Sequence, residues 1–281
     1  DFPYSDFLPE KNTIIQIDDK PQRIGRRAKV DYGYAGKIKD TIEALLPMIE
    51  EKTDKGFLNE MRKLHEQQEE KYASYVKAKS SEKNIHPEFV AAVIDEVAAD
   101  DAIFTVDTGM SAVWAARYIK GGRDRYLTGS FNHGSMANAM PMAIGASLSR
   151  PDRQVIALCG DGGITMLLGD LMTISQYDIP VKIVVFNNRS LGMVKLEMNV
   201  AGYPDWQTDM ENPDFAQVAQ AMNITSWNVE KCKNVESTLK KAFAHKGPAL
   251  INIFTDPEAL AMPPKVSFEQ VKGFATSMGK M

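Results

Sequence analysis

Asp161 lies within Gly160-Asp161-Gly162-Gly163, and Asn188 lies 27 residues further on within Asn187-Asn188-Arg189-Ser190. A carboxylate and an amide oxygen are hard ligands that suit Mg²⁺ or Ca²⁺ better than zinc, with water or phosphate oxygens completing the shell. The glycines around Asp161 let backbone N–H groups approach an anion, and a helix starting there would aim its N-terminus at the same point. The pattern suits a divalent ion bridging the chain to a diphosphate. A Gly-Asp-Gly triplet alone recurs in many turns; the paired asparagine at this distance makes the signal specific.

For the two side chains to meet, they must leave neighbouring strands at one sheet edge, and their separation is about one strand–helix–strand crossover. Apolar runs predict strands over 102–106, 155–159, 181–187 and 249–254, and helices over 87–98, 136–148, 163–177 and 215–222. Continuous Val/Ile runs separated by helices indicate buried parallel strands in a doubly wound α/β sheet, where ligands bind beyond the carboxyl ends of the strands. Upstream, one strand over 13–18, a turn at 19–21 and a helix over 37–51 are too little to close a domain. The polar stretch 59–83, with Glu66-Gln67-Gln68-Glu69-Glu70-Lys71, reads as a solvated helix bridging two domains. The expected division is 1–60, a helical linker 61–83, the main α/β domain 84–262 and a tail 263–281.

Hydrophobic residues make up 44% and charged residues 25%, which excludes low-complexity disorder and a disulfide scaffold. Lys and Arg number 33 against 37 Asp and Glu, a net charge of −4 with no concentrated basic face, so no nucleic-acid partner is expected. Cys159 and Cys232 belong to no Cys-x-x-Cys pair, which fits a reducing cytoplasm. No apolar run could span a bilayer, and the N-terminus lacks the features of a signal peptide. It also lacks an initiator Met, so the chain is expected to be a piece of something longer. Val271, Phe274, Ala275 and Met278 have helical spacing, and this segment is expected to dock on its own domain.

Gly-Asp-Gly followed by Asn-Asn resembles the metal-diphosphate motif of thiamine diphosphate enzymes. Within that superfamily, the segment from Gly129 through Asn132-His133-Gly134-Ser135-Met136 to Pro141 is similar to pyruvate oxidase, particularly its quinone-reducing, acetate-forming type. Asp1-Phe2-Pro3-Tyr4 and Ile15-Gln16-Ile17-Asp18 resemble the FAD-binding end of that family's Rossmann-like middle domain. The resemblance covers essentially the whole chain and leaves out the family's N-terminal domain. It implies that Asp161, the Asn188 side chain and the Ser190 carbonyl bind Mg²⁺, that Gly162 and Gly163 face the diphosphate, and that Arg189 belongs to the same cofactor segment. It also implies that Gly134, Ser135 and Met136 grip the aminopyrimidine, with Met136 keeping the cofactor bent; outside the motif Met136 would read as an ordinary core methionine.

Leu191, Gly192, Met193 and Val194 match a stretch near the reacting carbon, although flavin-reducing relatives usually carry Phe where this chain has Met193. Glu197 corresponds to an active-site acid of the phosphate-using oxidases, or else is a solvated helix carboxylate. Asp18 has a position where a carboxylate accepts from a ribose hydroxyl, or else caps a turn. His133 reads as structural, and His65, His86 and His245 have no catalytic role. The implied activity is oxidative decarboxylation of pyruvate to acetate and CO₂, with electrons passing through FAD to a quinone or oxygen. The alternatives are acetyl phosphate formation and carboligation of the acetolactate synthase type, while a nicotinamide dehydrogenase lacks its Gly-x-Gly-x-x-Gly here. The family's catalytic glutamate lies on the N-terminal domain, so this chain alone is expected to show no turnover. The complete protein is expected to be a dimer or tetramer, cytoplasmic or peripheral on the inner face of the cell membrane.

Overall fold

The computed structural model describes residues 11–79, 84–122, 124–259 and 268–279. These form two units that divide between His65 and Glu66. In the first, β1 (Ile15–Asp18) pairs in parallel with β2 (Tyr32–Ala35), Ile15 opposite Tyr32 and Asp18 opposite Ala35. The sequence predicts one strand here. The second is masked by its Tyr-Gly-Tyr-Ala composition, which has no apolar run and carries a glycine that reads as a turn. Helix α1 (Ile38–Leu45) tightens into a 3-10 turn at Leu46–Met48, where Pro47 lacks an N–H, so it ends before the expected residue 51. Asp1, Phe2, Pro3 and Tyr4 lie outside the described residues.

The polar stretch forms helix α2 (Gly56–Lys79), whose first amide is accepted by Asp54 Oδ1 at 2.9 Å. Its later turns are not solvated all round, as the sequence suggested. Tyr72 and Val76 pack against the core of the second unit, and the Tyr72 ring centroid lies 5.4 Å from that of Tyr118.

The second unit is built on a six-stranded, wholly parallel sheet: β3 (Ile103–Val106), β4 (Tyr126–Gly129), β5 (Val155–Gly160), β6 (Lys182–Asn187), β7 (Thr225–Val229) and β8 (Ala249–Phe254), in the order β4-β3-β5-β6-β8-β7. Strand pleating sends alternate residues to opposite faces. Ile156, Leu158, Val184, Phe186, Ile251 and Ile253 face one core with α3 (Pro87–Val97), α4 (Met110–Tyr118) and α10 (Val235–Ala244). Val155, Ala157, Cys159, Ile183, Val185 and Leu250 face the other, under α5 (Ala139–Ser149), α6 (Asp161–Met166), α7 (Asp170–Gln176) and α9 (Phe215–Ala221). Burial on both faces is why these strands read as unbroken apolar runs, and the sheet is the doubly wound α/β fold expected from the sequence.

Three expectations are corrected. The helix predicted over 163–177 is two helices, broken between Met166 and Asp170, and the one predicted from residue 136 starts at Ala139 because Gly134 and Ala137 have φ of +74° and +61°. Strands β4 and β7 and helices α4, α8 (Gly192–Val200) and α10 are additional to those predicted. The C-terminal helix α11 (Phe268–Met278) does dock on α8, but not through the predicted stripe. Val271 and Met278 are exposed, whereas Ser277 is buried and its hydroxyl donates to Asn199 Oδ1 at 2.8 Å. No helix among the described residues is long and apolar enough to cross a membrane.

Candidate functional site

Four strand ends converge on one cleft of about 230 Å³. β3 leads into Asp107, Thr108 and Gly109, β5 into Asp161, β6 into Asn188 and Ser190, and β8 into Thr255 and Asp256. The chain passes from β3 to β4 on one side and then returns to β5 on the other, so the cleft lies at the topological switch point of the sheet, where α/β folds bind ligands.

Asp161 is buried, its Oδ1 accepting from the Gly162 amide at 2.9 Å and its Oδ2 from Asn212 Nδ2 at 2.8 Å. Burial pushes its carboxyl above the usual carboxylate range, opposed by these donors and by the Arg189 amide. Asn188 lines the same cavity and its Oδ1 accepts from the Ser190 amide at 3.1 Å. Arg189 between them takes φ +54°, a left-handed turn that puts the Asn188 and Ser190 positions on the cleft while the guanidinium lies 5.4 Å over the Phe254 ring. The chain here is pinned by Met210, whose amide donates to the Arg189 carbonyl at 2.9 Å.

Side chains crowd both glycines. A Cβ at Gly162 would stand 2.9 Å from Leu191 Cδ2 and 3.2 Å from Met136 Cε, and one at Gly163 would overlap Asp107 Oδ2. Met136, whose side chain is the expected cofactor support, therefore reaches the Gly162 end of the cleft. Gly134, Leu191, Gly192, Met193 and Val194 line the cavity as well. Three of the expected residues do not. Ser135 is outside the lining, its carbonyl accepting from Asn138 Nδ2 at 2.6 Å; Arg189 contributes backbone only; and Glu197 is exposed on α8, away from the cavity. Asp18 belongs to the first unit, where it caps a turn by accepting from the Lys20 amide at 2.9 Å and pairs with Arg23 at 3.9 Å.

Residues the sequence reading passed over are Asp107, Thr108, Asn212 and Asp256. The first two follow a strand that was predicted correctly; applying the strand-end rule there, as at 161 and 188, would have found them. Asp107 Oδ1 accepts from the Ala139 amide at 2.8 Å, and burial pushes its carboxyl up to about 6. Asp107, Thr108 and Ser190 line this cleft, and Asp107 Oδ2, Thr108 Oγ1 and Ser190 Oγ are buried behind its surface without a hydrogen-bond partner among the described residues. Such atoms are costly unless a ligand satisfies them. The hard oxygen donors of Asp161 and Asn188 on one cleft, at the start of α6, fit a metal-bound diphosphate.

A doubly wound α/β domain with a cleft at its switch point belongs to the class of folds that bind ligands there. Residues 107–253, just over half of the chain, match the family described as thiamine pyrophosphate enzyme, C-terminal TPP binding domain, and the chain belongs to that family. It is 34% identical over 99% of its length to a Bacillus subtilis protein provisionally named thiamine pyrophosphate-containing protein YdaP, of which it covers 48%. It is 33% identical over 92% of its length to a probable acetolactate synthase large subunit of Methanocaldococcus jannaschii, covering 44% of that protein. To the chloroplastic acetolactate synthase 1 of Oryza sativa it is 29% identical over 89% of its length, covering 40%. The chain thus spans about half the length of the curated relatives it matches.

Proposed function

We propose that this chain is the cofactor-holding part of a thiamine diphosphate-dependent enzyme that decarboxylates pyruvate. The observation that carries this reading is the pair of hard oxygen donors, Asp161 and Asn188, on one cleft at the ends of neighbouring strands. Asp161, the Asn188 side chain and the Ser190 carbonyl would hold Mg²⁺, with Gly162 and Gly163 on the lining of the same cleft. Met136, Leu191, Met193 and Val194 form an apolar wall of the cleft against which the organic part of the cofactor would pack. Thiamine diphosphate supplies, when bound, the carbon nucleophile for the pyruvate carbonyl and the electron sink for the departing carboxylate.

For the fate of the two-carbon unit left after CO₂ departs, the names of the relatives favour carboligation: transfer to a second pyruvate, giving acetolactate. The second reading is oxidation to acetate through FAD to a quinone or oxygen, and what favours it is the likeness of Gly129 to Pro141 to pyruvate oxidase. Oligomerisation and a cytoplasmic or membrane-peripheral location accompany either reading as proposals. The test is to supply the complete protein with pyruvate, thiamine diphosphate and Mg²⁺, with and without FAD and a quinone. Acetolactate supports carboligation. Acetate formed in step with quinone reduction supports the oxidase instead, and unchanged pyruvate in every mixture overturns both.

A further inference from the structure

Asp161 does not stand alone under the cavity; it is one end of a chain of side-chain amides that crosses the sheet. Asn212 Nδ2 donates to Asp161 Oδ2 at 2.8 Å and to Asn187 Oδ1 at 3.0 Å. Asn187 Nδ2 donates to Asn252 Oδ1 at 3.0 Å, Asn252 Nδ2 to Asn228 Oδ1 at 2.8 Å, and Asn228 Nδ2 to Asp214 Oδ2 at 2.7 Å. Asp214 in turn caps α9 through the Gln217 amide at 3.0 Å. Asn187 and Asn252 are buried.

The direction of every bond follows from its ends. An ionised carboxylate only accepts, and both ends of this chain are carboxylates. An amide that donates on one side and accepts on the other passes the polarity along unchanged, so a chain with two accepting ends needs one amide that donates both ways. Asn212 is that amide, spending both of its N–H groups, one on Asp161 and one on Asn187. Beyond it Asn187, Asn252 and Asn228 line up head to tail, each polarising the next. Asn212 comes from the segment before α9 rather than from the sheet, and it ties the strand end carrying Asp161 to the neighbouring strand end that leads into Asn188.

We propose that Asn212 is a positioning residue for the cation site: it holds the Asp161 carboxylate in the orientation that leaves its remaining lone pairs toward Asn188, and it locks the two strand ends at the spacing the ion requires. This rests on the metal-diphosphate reading of the cleft. Partners that orient a ligating carboxylate typically change metal affinity about 10-fold or more when removed.

The test is Mn²⁺ binding, followed by the EPR signal of the free ion, on the complete protein with thiamine diphosphate present. Asn212→Ala should raise the Mn²⁺ dissociation constant about 10-fold. Asn228→Ala, at the far end of the same chain, removes a comparable hydrogen bond from the fold and should raise it less than about twofold, since coupling falls with distance. Equal effects of the two variants, or no effect of Asn212→Ala, overturn the proposal and leave the chain a purely structural feature. If Asn212→Ala does not fold, Asn212→Ser, whose shorter side chain cannot reach both acceptors, takes its place; a threefold or greater rise supports the proposal and an unchanged constant overturns it. Failure of the unaltered protein to bind Mn²⁺ overturns the metal reading of the site itself, an outcome distinct from tight binding by every variant.

Discussion

Gly163 lies so close under Asp107 that any side-chain carbon at 163 would overlap the Asp107 Oδ2 atom. The glycine is there because two strand ends, one from β3 and one from β5, close on each other at the switch point, and a carboxylate fills the gap. Gly163→Ala forces either the helix start or the carboxylate to move. Overpacking of this kind costs about 1–3 kcal/mol. The expected outcome is a lower denaturant midpoint with an unchanged slope, together with weaker thiamine diphosphate binding measured by fluorescence quenching.

Asp107 also sets a pH dependence. Its carboxyl sits at about 6 in the folded chain against 3.8 as the ordinary value, because burial disfavours its charge. Between these pH values the folded state holds the proton more tightly than the unfolded state does. The stability this group contributes is therefore full below pH 3.8 and is lost as pH rises through 6. Asp107→Asn keeps the acceptor for the Ala139 amide and removes the titration. Urea midpoints measured from pH 4 to pH 7 should fall less steeply for the variant than for the unaltered chain.

How far this site could be read in advance depended on whether its atoms announce themselves locally. Asp161 and Asn188 were legible because two short motifs flank apolar runs and their spacing matches one crossover. Asp107 and Asn212 were not, since each is a single polar residue whose meaning arises only when the sheet brings it beneath another strand end. The same holds for the fold. Strands β5, β6 and β8, buried on both faces, read as apolar runs, whereas β4 and β7 at the sheet edges carry Tyr-Leu-Thr-Gly and Thr-Ser-Trp-Asn-Val, which mix polar residues because one side meets solvent. Glu197 was a candidate on the strength of a resemblance, and helix geometry turns it to solvent on the exposed side of α8.

Asn188→Ala and Asp161→Ala should separate the metal from the cavity walls. Of the three expected ligands Asp161 alone is charged, so its removal should weaken Mg²⁺-dependent thiamine diphosphate binding by on the order of 100-fold, with Asn188→Ala costing roughly 10-fold. A chelator such as EDTA should release the cofactor from the unaltered protein and should have little left to release from Asp161→Ala. Equilibrium dialysis of thiamine diphosphate, with and without Mg²⁺, measures all three.

The C-terminal helix offers a last test of packing. Gly273 in α11 faces the end of α8, where a Cβ would overlap the Val200 carbonyl, and Gly202 continues the contact at φ +82°. Two backbones approach here with nothing between them, one turn away from the buried Ser277 to Asn199 hydrogen bond. Gly273→Ala would gain helix propensity, worth about 1 kcal/mol, yet must displace α11 from α8 to fit. If docking dominates, the variant loses protection: amide hydrogen exchange across 268–279 should speed up while exchange in β5 and β6 stays as slow as before. Because α8 begins at Gly192 and Met193 on the cavity wall, the same variant should also bind thiamine diphosphate more weakly, by about two- to fivefold. Faster exchange with unchanged cofactor affinity would mean that α11 braces only the far end of α8 and that the cavity wall is held independently by the Leu191 amide, which donates to the Thr208 carbonyl at 2.8 Å.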